Sequence, residues 1–408
     1  MRLLFVADGR SPIALNWMRY FVEQGHEVHL ASTFACDPGL SFASLHIIPV
    51  ALSSAKSGGQ GTGDQGVGKL LWGASLVGLR TAFKQWVGPL TLWKAAHRLR
   101  MIIDRVQPDL VHAMRIPYEG MLAALANPAV NPAVKPAANS AAPLLISVWG
   151  NDFTLHAPAT PLMKHYTRLA LQRCDGLHTD CARDIRLARA WGFPDGRAAV
   201  VLPGGGGVQM DIFYPPVVGK GEQRSQGEGS FRVVNPRGFR AYVRNDIFFQ
   251  AIPEVLACLP QVRFICPGMA GEPQAERWLD ELGIRDQVEL LPRQTRPQLA
   301  ELFRRAQVAV SLTTHDGTPN TLLEAMACGC YPVVGDLESL REWITPGVNG
   351  LLVEPAGPHG LAEAILLALQ RPELRIQASE HNLALVAEHA EHGKVMRAAE
   401  NFYTSLIG

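Results

Sequence analysis

The chain has 408 residues, 47% of them hydrophobic and 18% charged, a balance that excludes a fibre or a disordered chain and allows two or three domains, each with its own core. A net charge of +1 offers no basic field for nucleic acid, which is not expected as a partner. The charge is uneven, however. Residues 1–207 hold 20 Lys+Arg against 13 Asp+Glu and the rest 18 against 24, so the halves stand near +7 and −6. That split suits an N-terminal half facing an anionic surface or acceptor, and it equally suits drift of surface charge.

In chain order, residues 2–7 form an apolar strand pattern, 8–12 a polar turn and 13–24 a helical pattern closed by Gly25-His26, and 27–32 read as a second strand. This β-α-β opening predicts a parallel sheet whose first turn, Asp8-Gly9-Arg10-Ser11-Pro12, stands where such sheets bind ligands. Gly9 permits close backbone approach and Arg10 can reach a ligand, although one glycine after a first strand is a weak signal. Further strands are expected at 45–50, 110–112, 144–148, 176–179 and 199–202. The rhythm restarts at 231–235, 263–266, 288–290, 308–312, 331–334 and 350–353. Two doubly wound α/β halves follow. Three low-complexity stretches interrupt them: 53–68 and 127–143 read as surface insertions and 219–230 as part of an inter-domain linker.

Residues 69–105 carry seven Lys/Arg against one acidic residue, with Trp72, Trp86 and Trp93 among leucines. Such a segment can dock on an anionic membrane, and an internal pair of packed helices, the favoured reading, accounts for the same residues. Ser147-Val148-Trp149-Gly150-Asn151-Asp152 ends a strand. There Asp152 can accept a proton from a ligand hydroxyl or cap a helix, and Trp149 can stack on a ligand face or fill the core. Pro203 to Gly207 reads as a hinge.

The most informative block is Asp316-Gly317-Thr318-Pro319-Asn320-Thr321-Leu322-Leu323-Glu324. A strand feeds a helix here, with Thr318 as the expected cap and Pro319 at the first helical position. The N–H groups of Gly317 to Thr321 would face an anion at the positive end of the helix. Glu324 is placed to accept from two neighbouring hydroxyls and Asp316 to hold a second polyol. A nucleotide sugar offers that series of groups: diol, diphosphate, polyol.

The block resembles the Glu-x7-Glu signature of family 4 glycosyltransferases, including the following Ala-Met-Ala-Cys-Gly and Pro-Val-Val, with Asp316 in place of the first Glu. The resemblance implies a GT-B fold: two Rossmann-like doubly wound domains facing across a cleft. The expected bounds are residues 1–207 for the acceptor domain, 208–230 for the linker and 231–393 for the donor domain, with a final helix near 394–408 packing back on the first. It further implies that Asp316 contacts the donor sugar and Glu324 the ribose, that Arg237 binds the diphosphate, and that Arg244, with Arg240 as substitute, stands for a second cation where the family has Lys. Asp152, Arg237 and Asp316 are the candidate catalytic residues. Gly9, Arg10, Trp149, Gly150, Asn151 and Asp152 are the acceptor or cleft candidates. Trp149 occupies the family's His position.

The expected activity is transfer of a hexose from a UDP- or GDP-linked sugar to a sugar or lipid-linked hydroxyl, with retention inherited from the resemblance. A nucleotide-sugar epimerase and a catalytically weak nucleotide-sugar-binding protein are the alternatives. No cofactor is expected, and no metal, because the thirteen histidines show no His-x-x-x-His or Cys/His spacing; only His315 lies near the proposed chemistry. Seven cysteines without Cys-x-x-Cys spacing, an apolar start too short for a signal peptide and no apolar run of about 20 residues point to a cytoplasmic protein, with peripheral contact at the inner membrane face through 69–105.

Overall fold

A computed structural model describes residues 1–50, 86, 88–126, 142–216, 231–240 and 242–408. The expected insertion at 53–68, nearly all of that at 127–143, the stretch 219–230 and residues 69–85 lie outside the described residues. The chain divides into two compact units, Met1–Gly205 with Ala398–Gly408, and Gly206–Arg397. Residues 208–216, expected in the linker, instead pack into the second unit, where Val208 and Phe213 are buried in its core.

The first unit holds a parallel sheet of seven strands. In chain order they are β1 (Arg2–Ala7), β2 (Glu27–Ser32), β3 (Ser44–Ile47), β4 (Leu110–Ala113), β5 (Leu144–Val148), β6 (Gly176–Thr179) and β7 (Ala198–Val201); across the sheet the order is β3-β2-β1-β4-β5-β6-β7. β1, β4, β5 and β6 are buried almost throughout, as uninterrupted apolar runs require when helices cover both faces. The order reverses between β1 and β4. Ligands of open parallel sheets bind beyond the strand ends at such a switch. Helix α1 (Pro12–Glu23) follows the first turn and is capped by Ser11, whose hydroxyl accepts from the Ala14 N–H.

A buried polar chain ties the last helix, α2 (His392–Ile407), into this unit through its residue Tyr403. The Tyr403 hydroxyl accepts from the Trp17 indole at 2.8 Å and lies against His112 Nδ1; His112 Nε2, Ser147, His178 and the Leu202 carbonyl continue the chain. Burial depresses both histidine pKa values, His178 to about 4. With both imidazoles neutral, every donor meets an acceptor: Tyr403 donates to His112, His112 to Ser147, Ser147 to His178 and His178 to Leu202.

The second unit holds six parallel strands: β8 (Arg232–Val234), β9 (Arg263–Pro267), β10 (Val288–Leu291), β11 (Val308–Ser311), β12 (Tyr331–Gly335) and β13 (Leu351–Val353), ordered β10-β9-β8-β11-β12-β13. Alternate residues of one strand enter different cores. Val233, Phe264 and Val310 join one cluster, while Val234, Ile265 and Ala309 join the other, so both faces of the sheet are buried. The switch in strand order falls between β8 and β11, which places Asn235 to Arg237 and Thr313 to Asp316 side by side.

Candidate functional site

At the β8/β11 switch, two loops are stitched together. Val243 bridges Thr313, the Thr314 N–H donates to the Tyr242 carbonyl and the Arg244 N–H to the Leu312 carbonyl. Asn235 holds the first loop from inside, accepting from the Arg237 N–H at 3.1 Å and donating to Asn245. Gly335 is required beneath: a Cβ there would lie 2.7 Å from the Thr313 carbonyl oxygen. The Arg237 guanidinium donates to Asp316 Oδ2 at 2.7 Å, and the two side chains are only 15% and 17% exposed. Ser339 fixes the acid's backbone by donating to its carbonyl.

Gly317, Thr318 and Pro319 are buried, and helix α3 (Asn320–Ala327) begins one residue later than the sequence reading places it. Pro319 occupies the cap position, and the Thr318 hydroxyl accepts from the Trp343 indole at 3.0 Å. Asn320 opens the helix at the half-buried surface. The Thr321 hydroxyl is buried and has no hydrogen-bond partner among the described residues, an opening for a ligand acceptor at a helix start.

Arg244 takes a different part from the one expected. Its guanidinium grips Asp246 through both oxygens and donates to the Pro355 carbonyl at 2.8 Å, bracing the start of the helix at Asn245–Cys258. Arg240 donates to the Phe239 carbonyl. Of the three arginines expected near the diphosphate, Arg237 is the one that pairs with Asp316.

Glu324, on the inner side of α3, is 8% exposed, and burial pushes its pKa up to about 7 against the opposing pull of Arg296. Arg296 stands 3.6 Å away, donates to Gln209 at 2.8 Å and lies over the Phe213 ring. Nothing in the sequence spacing marks Arg296, because the contact arises where the helix at Arg296–Arg305 packs beside α3.

In the first unit the switch between β1 and β4 gathers other polar groups. The Gly9 N–H donates to Ser32, and a Cβ at Gly9 would strike Cys36 Sγ at 2.4 Å. The Arg10 guanidinium pairs with Asp8 and lies 3.6 Å over the Phe34 ring. Glu119, absent from the sequence candidates, is buried, accepts from Thr33 at 2.7 Å and has its pKa pushed up to about 7 by burial.

Asp152 is 1% exposed. Arg115 donates to it at 3.0 Å, as do the N–H groups of Ile116 and Trp149 at 3.3 and 3.1 Å. Those bonds make the carboxylate a brace between the segments that follow β4 and β5. Asn151 accepts from the other arm of Arg115, and the Gly150 carbonyl accepts from Arg183 at 2.8 Å. Trp149 is half-buried beneath the Arg115 guanidinium, with its Nε1 buried and without a partner among the described residues.

Among the described residues, Asp180, Cys181 and Asp184 have ligand atoms within 4.8 Å of one another. Arg183 already places a cation there, 2.8 Å from Asp184, which opposes a second positive charge. Burial raises the Asp184 pKa, and Arg183 counters that rise.

Both halves of the chain resemble known proteins. Residues 238–371 match the family described as Glycosyl transferases group 1, and residues 9–204 match the Glycosyl transferase 4-like domain. The D-inositol 3-phosphate glycosyltransferase of Mycolicibacterium smegmatis is 30% identical over 48% of this chain and 43% of its own length; that of Geodermatophilus obscurus is 37% identical over 26% and 24%. The chain thus spans less than half the length of these two curated relatives. Among solved structures, sucrose-phosphate synthase from Thermosynechococcus elongatus superposes with a TM-score of 0.72 at 15% identity, covering 100% of this chain and 99% of that one. HepE of Anabaena in complex with UDP gives 0.69 at 14%, covering 99% and 100%. With both halves matched in chain order and two parallel α/β units observed, the chain belongs to the family 4 glycosyltransferases of GT-B fold.

Proposed function

We propose that the protein transfers a hexose from a nucleoside diphosphate sugar to a sugar or lipid-linked hydroxyl, with retention of configuration and without a metal ion. The observation that supports this most is the arrangement at the β8/β11 switch, where the Arg237–Asp316 pair flanks the turn into a helix that carries a buried carboxylate at Glu324. Arg237, the amides opening α3 and the Thr321 hydroxyl would receive the diphosphate; Asp316 would hold the sugar and Glu324 the ribose diol. A fixed guanidinium and a helix N-terminus supply positive charge as the leaving diphosphate develops. UDP is the first base to test, since HepE was solved with UDP, and GDP the second.

Acceptor binding is assigned to the first unit, through the turn at Gly9 and Arg10 and the segment Trp149 to Asn151. Asp152 has no part in proton transfer in this reading, since three donors already hold its carboxylate. A thermal-shift screen over UDP- and GDP-sugars tests the donor, because true ligands stabilise by mass action. Anomer-resolved NMR of the product tests retention. No stabilisation by any nucleotide sugar would overturn the proposal.

No helix among the described residues is long and apolar enough to cross a membrane. We place the enzyme in the cytoplasm, where nucleotide sugars are made and where free thiols such as its seven cysteines persist, and assign peripheral membrane contact to the helix at Leu92–Val106. Its inner face, Leu92, Ala95, Ala96, Leu99 and Ile103, is buried. Its outer face shows Lys94, His97, Arg98 and Arg105 beside Trp93 and Met101, 64% and 54% exposed. This is the amphipathic division that docks on anionic headgroups.

A further inference from the structure

Glu324 differs from the other buried carboxylates described above. Asp152 is held by three N–H donors, Asp316 by a guanidinium at 2.7 Å and Glu119 by a hydroxyl at 2.7 Å. Among the described residues the cation paired with Glu324 is Arg296 at 3.6 Å, too far for a full hydrogen bond. The carboxylate is thus oriented by charge while its lone pairs stay open for two incoming hydroxyls.

Arg296 is itself firmly set. It begins the helix Arg296–Arg305, whose start is fixed by the Thr295 N–H donating to the Gln298 side chain at 3.0 Å. One arm of its fork binds Gln209 at 2.8 Å, and the guanidinium covers Phe213, which packs on Phe303 of the same helix. Gln209 and Phe213 are neutral, and β11, β12 and the helix Pro372–His389 contribute Ala309, Val334 and Val386 to the apolar cluster around α3. Arg296 is the charged group acting on the carboxyl.

We propose that Arg296 is a positioning residue for donor binding: it holds the Glu324 carboxylate charged and aimed at the ribose diol without occupying the oxygens that the diol needs. The proposal rests on the ribose reading of Glu324. Burial alone drives this carboxyl towards its neutral form, which offers one donor and fewer acceptors to a diol. The guanidinium opposes that drift across the range where the enzyme must bind its donor.

The test is UDP and GDP affinity by calorimetry between about pH 6 and pH 9 for the parent, Arg296→Met, Arg296→Lys and Glu324→Gln. Arg296→Met should bind about fivefold more weakly at pH 7 and within about twofold of the parent at pH 9, since removing an opposite charge extends the neutral form of the acid upward. Arg296→Lys should restore most of the loss, and Glu324→Gln should bind weakly with no pH dependence. A loss of equal size at every pH, or no loss, would overturn the positioning role. If the parent binds neither nucleotide, the donor reading itself fails. Arg296 is then judged by carboxyl NMR of the free protein, in which Arg296→Met must move the Glu324 titration to higher pH; an unmoved titration overturns the pairing.

Discussion

Arg237 and Asp316 meet at 2.7 Å at the junction of two loops that begin on neighbouring strands, and both are largely shielded from water. One guanidinium arm is committed to the acid, so in the proposed reading the diphosphate would meet the remaining N–H groups. Arg237→Ala should weaken UDP binding by about 1.5–3 kcal/mol, the usual size of a charge-assisted bond. Asp316→Ala should leave UDP affinity within a few fold but reduce the preference for a UDP-sugar over UDP. Calorimetry on both ligands separates the two roles, and equal losses on UDP for both variants would contradict them.

Asp152 carries a different expectation. Replacing it with Ala strands the Arg115 guanidinium and the Ile116 and Trp149 amides around a buried position. Arg115 is 27% exposed and partly solvated, so the cost should be about 2–3 kcal/mol of stability in the first unit. Unfolding by urea measures it. A catalytic base would instead show unchanged stability and a collapse of kcat in Asp152→Asn.

The strands were legible because buried parallel strands announce themselves as unbroken apolar runs, and the thirteen observed strands lie at or within a few residues of the expected segments. The Asp316–Glu324 block was legible as a motif, since strand, turn, helix and both acids are local in sequence. Partners from separate elements were not. Arg296 meets Glu324 only through helix packing, Ser339 and Trp343 reach the loop from beyond β12, and Arg244 pairs with Asp246 two residues away. Asp152 supported two readings, and neither its burial nor its three donors could be read from the sequence, because they come from segments brought together by the fold.

Glu119 gives a stability test with a defined sign. Its folded pKa of about 7 lies above the ordinary 4.5, with burial as the main cause. The penalty for ionising it in the fold is absent below the ordinary value, grows as pH rises towards 7 and is constant above. Glu119→Gln keeps an oxygen for the Thr33 hydroxyl and removes the charge. It should stabilise the protein by up to about 3 kcal/mol near pH 8 and have little effect near pH 4. Thermal unfolding across that range checks the slope, and a variant less stable at high pH would show that the charge is needed.

The outer face of the helix Leu92–Val106 lies beside the edge strand β3, where Leu45 and Ile47 are 41% and 40% exposed. Leu45, Ile47, Arg98, Met101 and Arg105 line an open groove of about 380 Å³ between them, so cations and apolar side chains stand together as an anionic lipid surface requires. Arg98→Glu with Arg105→Glu should abolish co-sedimentation with vesicles rich in anionic lipid, and raised salt should weaken the parent's binding, since exposed charges are screened. Transfer to a short soluble acceptor should be unchanged, because the face holds none of the donor residues. A parent that does not bind such vesicles, or binding that survives both charge reversals or is equally strong on zwitterionic lipid, would overturn the proposed contact.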